Sequence, residues 1–260
     1  MLYDRPVNTR KAISSLIPGR VRSSLRSMLG LGDDHIEKMI AELQRRLDNL
    51  EDRLDDKTWQ RSRQRWRTTE PTSNLTWGRD LLGDAFISTV ASHNAFGPDK
   101  SILEVGPGYG RLFKACEKLG IPFRKYCAID IAGRNVEYLR SNLHDPRLTI
   151  IHGDVELVTL EESCDLVISS LTFKHLFPSF ENAIGNVARF VNPGGRFFID
   201  FVEGQRSYFE PDGVTFIRWY TRQELADILQ RVSLELEGFD EVQHDPDHSR
   251  LLLIAKKPLA

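Results

Sequence analysis

The sequence predicts an α/β doubly wound domain with a mainly parallel sheet, preceded by a helical, coiled-coil-like extension, and three observations lead there. Short apolar runs alternate with helical segments from Ser101 to Phe201, which is the order of strands and crossover helices in a parallel sheet. A seven-residue apolar repeat precedes that region and is absent from it. The chain has 260 residues, of which 40% are apolar and 28% charged, enough for one large core with an appendage.

Taken in order, residues 1–32 form a basic amphipathic segment. Arg5, Arg10, Lys11, Arg20, Arg22 and Arg26 face the single acid Asp4, with Ile13, Leu16, Ile17, Val21 and Leu25 between them. Such a stretch either lies on an anionic membrane surface or packs as a tail, and Pro18-Gly19 breaks it into short pieces. Residues 33–68 read as a coiled-coil helix. Ile36, Ile40, Leu43, Leu47, Leu50 and Leu54 follow steps of four and three, the seam that pairs one helix with another. That seam, 36–54, joins copies of the chain or packs on its own domain. Arg61, Arg63, Arg65 and Arg67 are interleaved with Trp59 and Trp66 and either grip an anionic or sugar ligand or face solvent. Glu70 to Asn74 reads as a linker.

The domain at 76–260 opens with an amphipathic helix from Asp80 to Ala95, ended by Gly97-Pro98. Strands are expected at Ser101 to Val105, Tyr126 to Ile131, Leu148 to His152, Asp165 to Ser169 and Gly195 to Phe201. Helices are expected at Arg111 to Leu119, Asn135 to Asn142 and Glu181 to Phe190. Thr221-Arg-Gln-Glu224 is a capping box that opens a helix to Val232. Gly238 to Gln243 and Leu251 to Lys256, joined by Asp245-Pro-Asp-His-Ser249, close the fold as an antiparallel hairpin.

The first strand runs into Gly106-Pro-Gly-Tyr-Gly110, where glycine permits a sharp turn and close approach of a ligand to the backbone. A dinucleotide loop needs another glycine three residues after Gly108, and Arg111 stands there; no phosphate-loop lysine follows either. The loop thus suits a ligand without phosphates. Acids stand at the ends of successive strands. Glu104 can hold an ammonium, Asp130 accepts from a ribose diol, and Asp154 accepts from an adenine amine.

Glu104-Val-Gly-Pro-Gly-Tyr-Gly110, Asp130, Gly153-Asp154, Cys164-Asp-Leu-Val-Ile-Ser169 and Asn192-Pro-Gly-Gly195 together resemble the ordered motifs of class I, Rossmann-like S-adenosylmethionine-dependent methyltransferases. The resemblance spans about residues 76 to 257. It implies a seven-stranded sheet with an antiparallel last strand and S-adenosylmethionine as cofactor. It places Gly106, Gly108 and Gly110 under the methionine part, Asp130 at the ribose, and Asp154 with Val155 at the adenine. Ile131 and Ser169 adjoin that pocket. His175, after the fourth strand, is the expected catalytic base, because imidazole titrates near neutrality, with a packing or cofactor-loop residue as the alternative; Asp200 and Glu203 are second-choice bases or metal ligands, and His152 is structural.

The fourth-strand loop lacks the Asn/Asp-Pro-Pro-Tyr arrangement that grips planar amide or amino nitrogens in the family's base and glutamine methylases, so oxygen is the expected acceptor. The glycine loop with Arg111-Leu112, together with the basic extension, also resembles methyltransferases of bacterial cell-surface polysaccharide synthesis. That resemblance implies a sugar or glycan hydroxyl; Phe173, Tyr208, Phe209, Trp219 and Tyr220 either stack on its rings or line the core or a lipid tail. A small-molecule or lipid O-methyltransferase and a non-catalytic cofactor-binding scaffold are the alternatives. A net charge of -2 speaks against a nucleic-acid partner, and Cys116, Cys127 and Cys164 are spaced for neither disulfide nor metal. No apolar run or cleavable leader stands out, so the expected location is cytoplasmic, with membrane contact confined to 1–32 at the inner face.

Overall fold

The computed structural model describes residues 55–68, 83–245 and 248–259. The segment 1–32, the seam at 36–54 and the linker at 70–74 lie outside them. The chain divides into two compact units, Met1–Gln60 and Arg61–Ala260. Residues 55–67 are helical.

In the larger unit the order is α1 (Gly83–Ser92), β1 (Ser101–Val105), α2 (Arg111–Lys118), β2 (Lys125–Asp130), α3 (Gly133–Asn142), β3 (Leu148–His152) and β4 (Cys164–Ser169). There follow a single 3₁₀ turn (Phe173–His175), α4 (Glu181–Ala188), β5 (Val191–Phe201), β6 (Arg206–Phe209) and β7 (Phe216–Trp219). The chain then continues through α5 (Arg222–Arg231), β8 (Glu235–Asp245) and β9 (His248–Lys256). Seven strands form one sheet in the order β3-β2-β1-β4-β5-β9-β8. β1 pairs parallel with β2 and β4, β2 with β3, and β4 with β5, whereas β9 runs antiparallel to both β5 and β8. This is the expected doubly wound sheet, with the last strand reversed and inserted beside β5.

Alternation along the strands builds a core on each face. Leu103, Val105, Val167, Phe197 and Ile199 face one way and pack with Ile184 and Val187 of α4 and Leu225 and Ile228 of α5. Ile102, Leu166, Ile168 and Phe198 face the other way, against Phe86 and Val90 of α1 and Leu112 and Phe113 of α2. The central strands are covered on both sides, which is why they read as continuous apolar runs. The capping box forms as expected: Glu224 N donates to Thr221 Oγ1 at 3.2 Å, and Thr221 N donates to Glu224 Oε2 at 2.9 Å.

Two features depart from the expected outline. β5 begins at Val191 rather than Gly195, with a register shift against β4 between Cys164 and Leu166. Gly194 there has a φ of +77°, so the irregular start uses the conformational freedom of glycine. Beyond β5, β6 and β7 form a separate antiparallel ribbon. It brings Phe216 against the 3₁₀ turn, where its carbonyl accepts from His175.

Candidate active site

The turn after β1 is held open by backbone geometry. Gly106, Gly108 and Gly110 have φ of +71°, +56° and +81°, a region that costs other L-residues about 1–2 kcal/mol each. A Cβ on Gly106 would lie 2.2 Å from Thr172 Oγ1, and one on Gly110 would lie 2.8 Å from Leu143. Glycine here therefore serves both turn and clearance. Parallel pairing of β1 with β2 sets Asp130 beside this loop. The Asp130 carboxylate is 6% exposed and accepts from Ala132 N at 2.8 Å, Gly108 N at 3.1 Å and Asn135 Nδ2 at 3.2 Å. Burial raises its pKa, and those three donors pull against the rise. A fixed acceptor beside a side-chain-free loop fits a ribose diol. Asn135 gave no signal of its own in the sequence.

The other expected cofactor residues divide. Glu104 is 2% exposed, and its Oε2 accepts from Tyr126 Oη at 2.6 Å, within the aromatic group of Phe113, Phe123 and Tyr126. Burial pushes its carboxyl up to about 7. Through the bond to Tyr126, Glu104 ties β1 to β2 beneath the loop. Ser169 is fully buried and donates to the Val105 carbonyl at 2.7 Å; it fastens β4 to β1. Val155 belongs to the core, and the Ile131 carbonyl accepts from His152 Nε2 at 3.2 Å.

Asp154 is engaged by a residue 91 positions earlier. Arg63 Nε and Nη2 donate to its two oxygens at 2.6 and 2.8 Å, and Arg63 Nη2 also lies 2.9 Å from Glu156 Oε2. All three side chains are less than a tenth exposed. A fork of guanidinium donors on two carboxylates is a strong, oriented contact. Part of the arginine-tryptophan stretch is therefore buried at the β3 edge of the site, neither solvated nor waiting for a ligand. Trp66 lies with its ring 4.5 Å from the His175 ring.

His175 sits where expected, in the turn after β4, but in surroundings unsuited to a base. It is 7% exposed, and Nδ1–H donates to the Phe216 carbonyl at 2.8 Å, leaving Nε2 as the acceptor nitrogen. Burial, with the charge of Lys174 next, pushes its pKa down to about 3. An imidazole of that basicity takes protons weakly at neutral pH. Glu203 is exposed and paired with Arg222 at 2.8 Å. Asp200 is fully buried and accepts from Ser170 Oγ and Leu171 N, each at 2.7 Å. Arg111 Nη2 donates to the same Ser170 hydroxyl at 2.8 Å.

Of the aromatic residues expected at an acceptor, Phe173 and Tyr220 are wholly buried core. Phe209 packs on Phe177 and Phe216, while Tyr208 and Trp219 both lie near the Arg206 guanidinium. Cys116 and Cys164 are buried and Cys127 half-buried, all unbridged; burial pushes the Cys127 thiol up to about 11 and that of Cys164 to about 12. Among the described residues no cluster of His, Cys, Asp and Glu could hold a metal ion, and no helix is long and apolar enough to cross a membrane.

Comparisons with known proteins converge on this part of the chain. Residues 103–199 match the family described as methyltransferase domain. The chain is 31% identical over 105 residues to a malonyl-[acyl-carrier protein] O-methyltransferase of Priestia megaterium, covering 40% of this chain and 37% of that protein. It is 29% identical over 118 residues to a probable protein arginine N-methyltransferase 6.1 of Oryza sativa, covering 43% and 30%. The chain thus spans about a third of the length of these curated relatives. In fold it is similar to the 1,6-didemethyltoxoflavin-N1-methyltransferase of Burkholderia thailandensis, solved with S-adenosylhomocysteine. The TM-score is 0.57, with 19% identity, over 72% of this chain and 85% of that one. The residues that match the methyltransferase domain contain the glycine loop, Asp130 and the β4 turn.

Proposed function

We infer that this protein is an enzyme that transfers a methyl group from S-adenosylmethionine to an oxygen acceptor. The observation that carries the reading is the pairing of a buried, donor-fixed Asp130 with the Gly106–Gly110 loop, a cradle for a nucleoside that bears no phosphate. When bound, the cofactor supplies an electrophilic methyl on a sulfonium. The chain's part is to align the acceptor and exclude water. Asp130 holds the ribose, the glycine loop passes close to the methionine part, and the Asp154 edge, braced by Arg63, borders the adenine.

Ser169-Ser-Leu-Thr172 stands where the family's base and glutamine methylases carry Asn/Asp-Pro-Pro-Tyr, and this speaks against a planar amide or base nitrogen as acceptor. A sugar or glycan hydroxyl needs a base, however, and the low basicity of His175 favours an acceptor that needs none. The relative from Priestia megaterium is named as an O-methyltransferase, which agrees with oxygen and leaves small-molecule acceptors ahead of glycans.

Calorimetric titration with S-adenosylmethionine tests the reading. Asp130→Ala removes a charged acceptor and should weaken binding by about 10- to 100-fold. Absence of binding by the unaltered chain would refute the cofactor. Binding without turnover over a broad acceptor panel would favour a cofactor-binding scaffold.

A further inference from the structure

On the acceptor side of the crevice, one largely buried cation keeps a donor without a partner. Arg250 stands at the head of the apolar run of β9, opposite Val242 and one residue before Leu251, which pairs with Phe201 at the end of β5. Its side chain is 10% exposed, and Nη2 lies 3.3 Å from Asp200 Oδ1. Its Nε is buried with no hydrogen-bond partner. Asp200 is meanwhile occupied at shorter distance by Ser170 and Leu171, so it satisfies Arg250 incompletely. Lys174, in the 3₁₀ turn, is also largely withdrawn from water. Burial, then the charge of Arg250, pushes its ammonium down to about 8 against the pull of Asp200 and Glu210. Arg111 adds its own charge to the field at Arg250. A guanidinium held nine-tenths out of water with one N–H unpaired is costly unless an anion joins it.

The sheet order separates this cluster from the nucleoside cradle. Asp130 lies at the end of β2, on one side of β1, whereas Lys174, Asp200 and Arg250 follow β4 or lie on β5 and β9, on the other. We propose that the acceptor is a carboxylic acid, held in its ionised form by Arg250 and Lys174 and converted to a methyl ester. This rests on the methyltransferase reading above and deepens it. An oxygen lone pair of the carboxylate forms the new bond to the methyl carbon, and the carbon–sulfur bonding pair stays on sulfur. The products are a neutral ester and a neutral thioether. No proton is released, so the reaction asks nothing of His175.

The test uses the full chain saturated with S-adenosylhomocysteine and titrated with malonate, glutarate and glucuronate, each against its neutral counterpart (malonamide, glutaramide, glucose). The carboxylates should bind and the neutral partners should not. Lys174→Met should weaken carboxylate binding about tenfold or more while leaving affinity for S-adenosylhomocysteine within about twofold; Arg250→Gln should act likewise, and Lys174→Met covers the case in which it fails to fold. With S-adenosylmethionine carrying a labelled methyl group, the label in the product should be released as methanol by mild alkali, which cleaves esters and spares ethers. Equal binding of neutral and ionised probes, no carboxylate binding, or alkali-stable product would overturn the proposal. So would a parallel loss of S-adenosylhomocysteine affinity in Lys174→Met, which would give the cluster to the cofactor's own carboxylate. Failure of the unaltered chain to bind S-adenosylhomocysteine at all would instead remove the methyltransferase reading underneath.

Discussion

At Gly106 a single added carbon meets two obstacles, a φ of +71° and the Thr172 hydroxyl 2.2 Å from the new atom. Gly120 shares the first obstacle, with φ +63°, but has nothing within 4 Å. Gly106→Ala should therefore cost roughly 2–4 kcal/mol, and Gly120→Ala only about 1 kcal/mol; urea denaturation of the two variants measures the difference. Residues whose role is set by neighbours along the chain were legible from sequence, as the glycine loop and Asp130 show. Arg63 was not, because its partner is 91 positions away and nothing local distinguishes it from Arg61 or Arg65. Arg250 left a faint trace, a lone charge at the head of Leu251-Leu-Leu-Ile254.

Elements with a strong local signal came out as expected, and those made by tertiary contact did not. The helix α5 is opened by a capping box readable from four residues. Thr221→Ala should cost about 1 kcal/mol, seen as a lowered thermal midpoint with activity retained. The β6–β7 ribbon has no comparable signature: its eight strand residues, Arg206–Phe209 and Phe216–Trp219, mix charged and aromatic side chains without clean alternation. The stretch 61–68 carried alternative readings, since an arginine-rich helix end is solvated or buried according to what faces it. Here it faces Asp154 and Glu156. Arg63→Ala removes the guanidinium fork from two buried carboxylates, with Asp154 keeping a looser ion pair to Arg67 at 3.7 Å, and should destabilise the unit by about 3 kcal/mol, measured by chemical denaturation. The seam at 36–54 is proposed to join copies of the chain; Leu43→Asp with Leu47→Asp should then halve the solution mass or better in light scattering, and an unchanged mass would refute it.

For the molecule as a whole, two buried groups make stability depend on pH in opposite senses. His175 drops from 6.5 to about 3 on folding. The unfolded chain therefore binds more protons between those values, and stability is lost as pH falls through that window. Glu104 rises from 4.5 to about 7. The folded chain holds its proton in that range, and stability is lost as pH climbs from 4.5 to 7. The two offset one another between about pH 4.5 and 6.5; below 4.5 the histidine acts without Glu104, alongside carboxylates held low by hydrogen bonds such as Asp212 and Asp165. Denaturation across pH should show a shallow middle and a steep acid arm, and His175→Gln should flatten that arm; an acid arm of undiminished slope would refute the assignment. The contact between Gly106 and Thr172, whose hydroxyl donates to the Gly106 carbonyl at 3.3 Å, has a consequence for how two ligands are taken up. It joins the glycine loop to the loop that leads to Lys174, which gives the two proposed ligands a shared contact. Linkage is reciprocal: under the proposal above, whatever factor bound S-adenosylhomocysteine applies to carboxylate affinity, the carboxylate returns to S-adenosylhomocysteine, so each ligand tightens or loosens the other to the same degree whichever is added first.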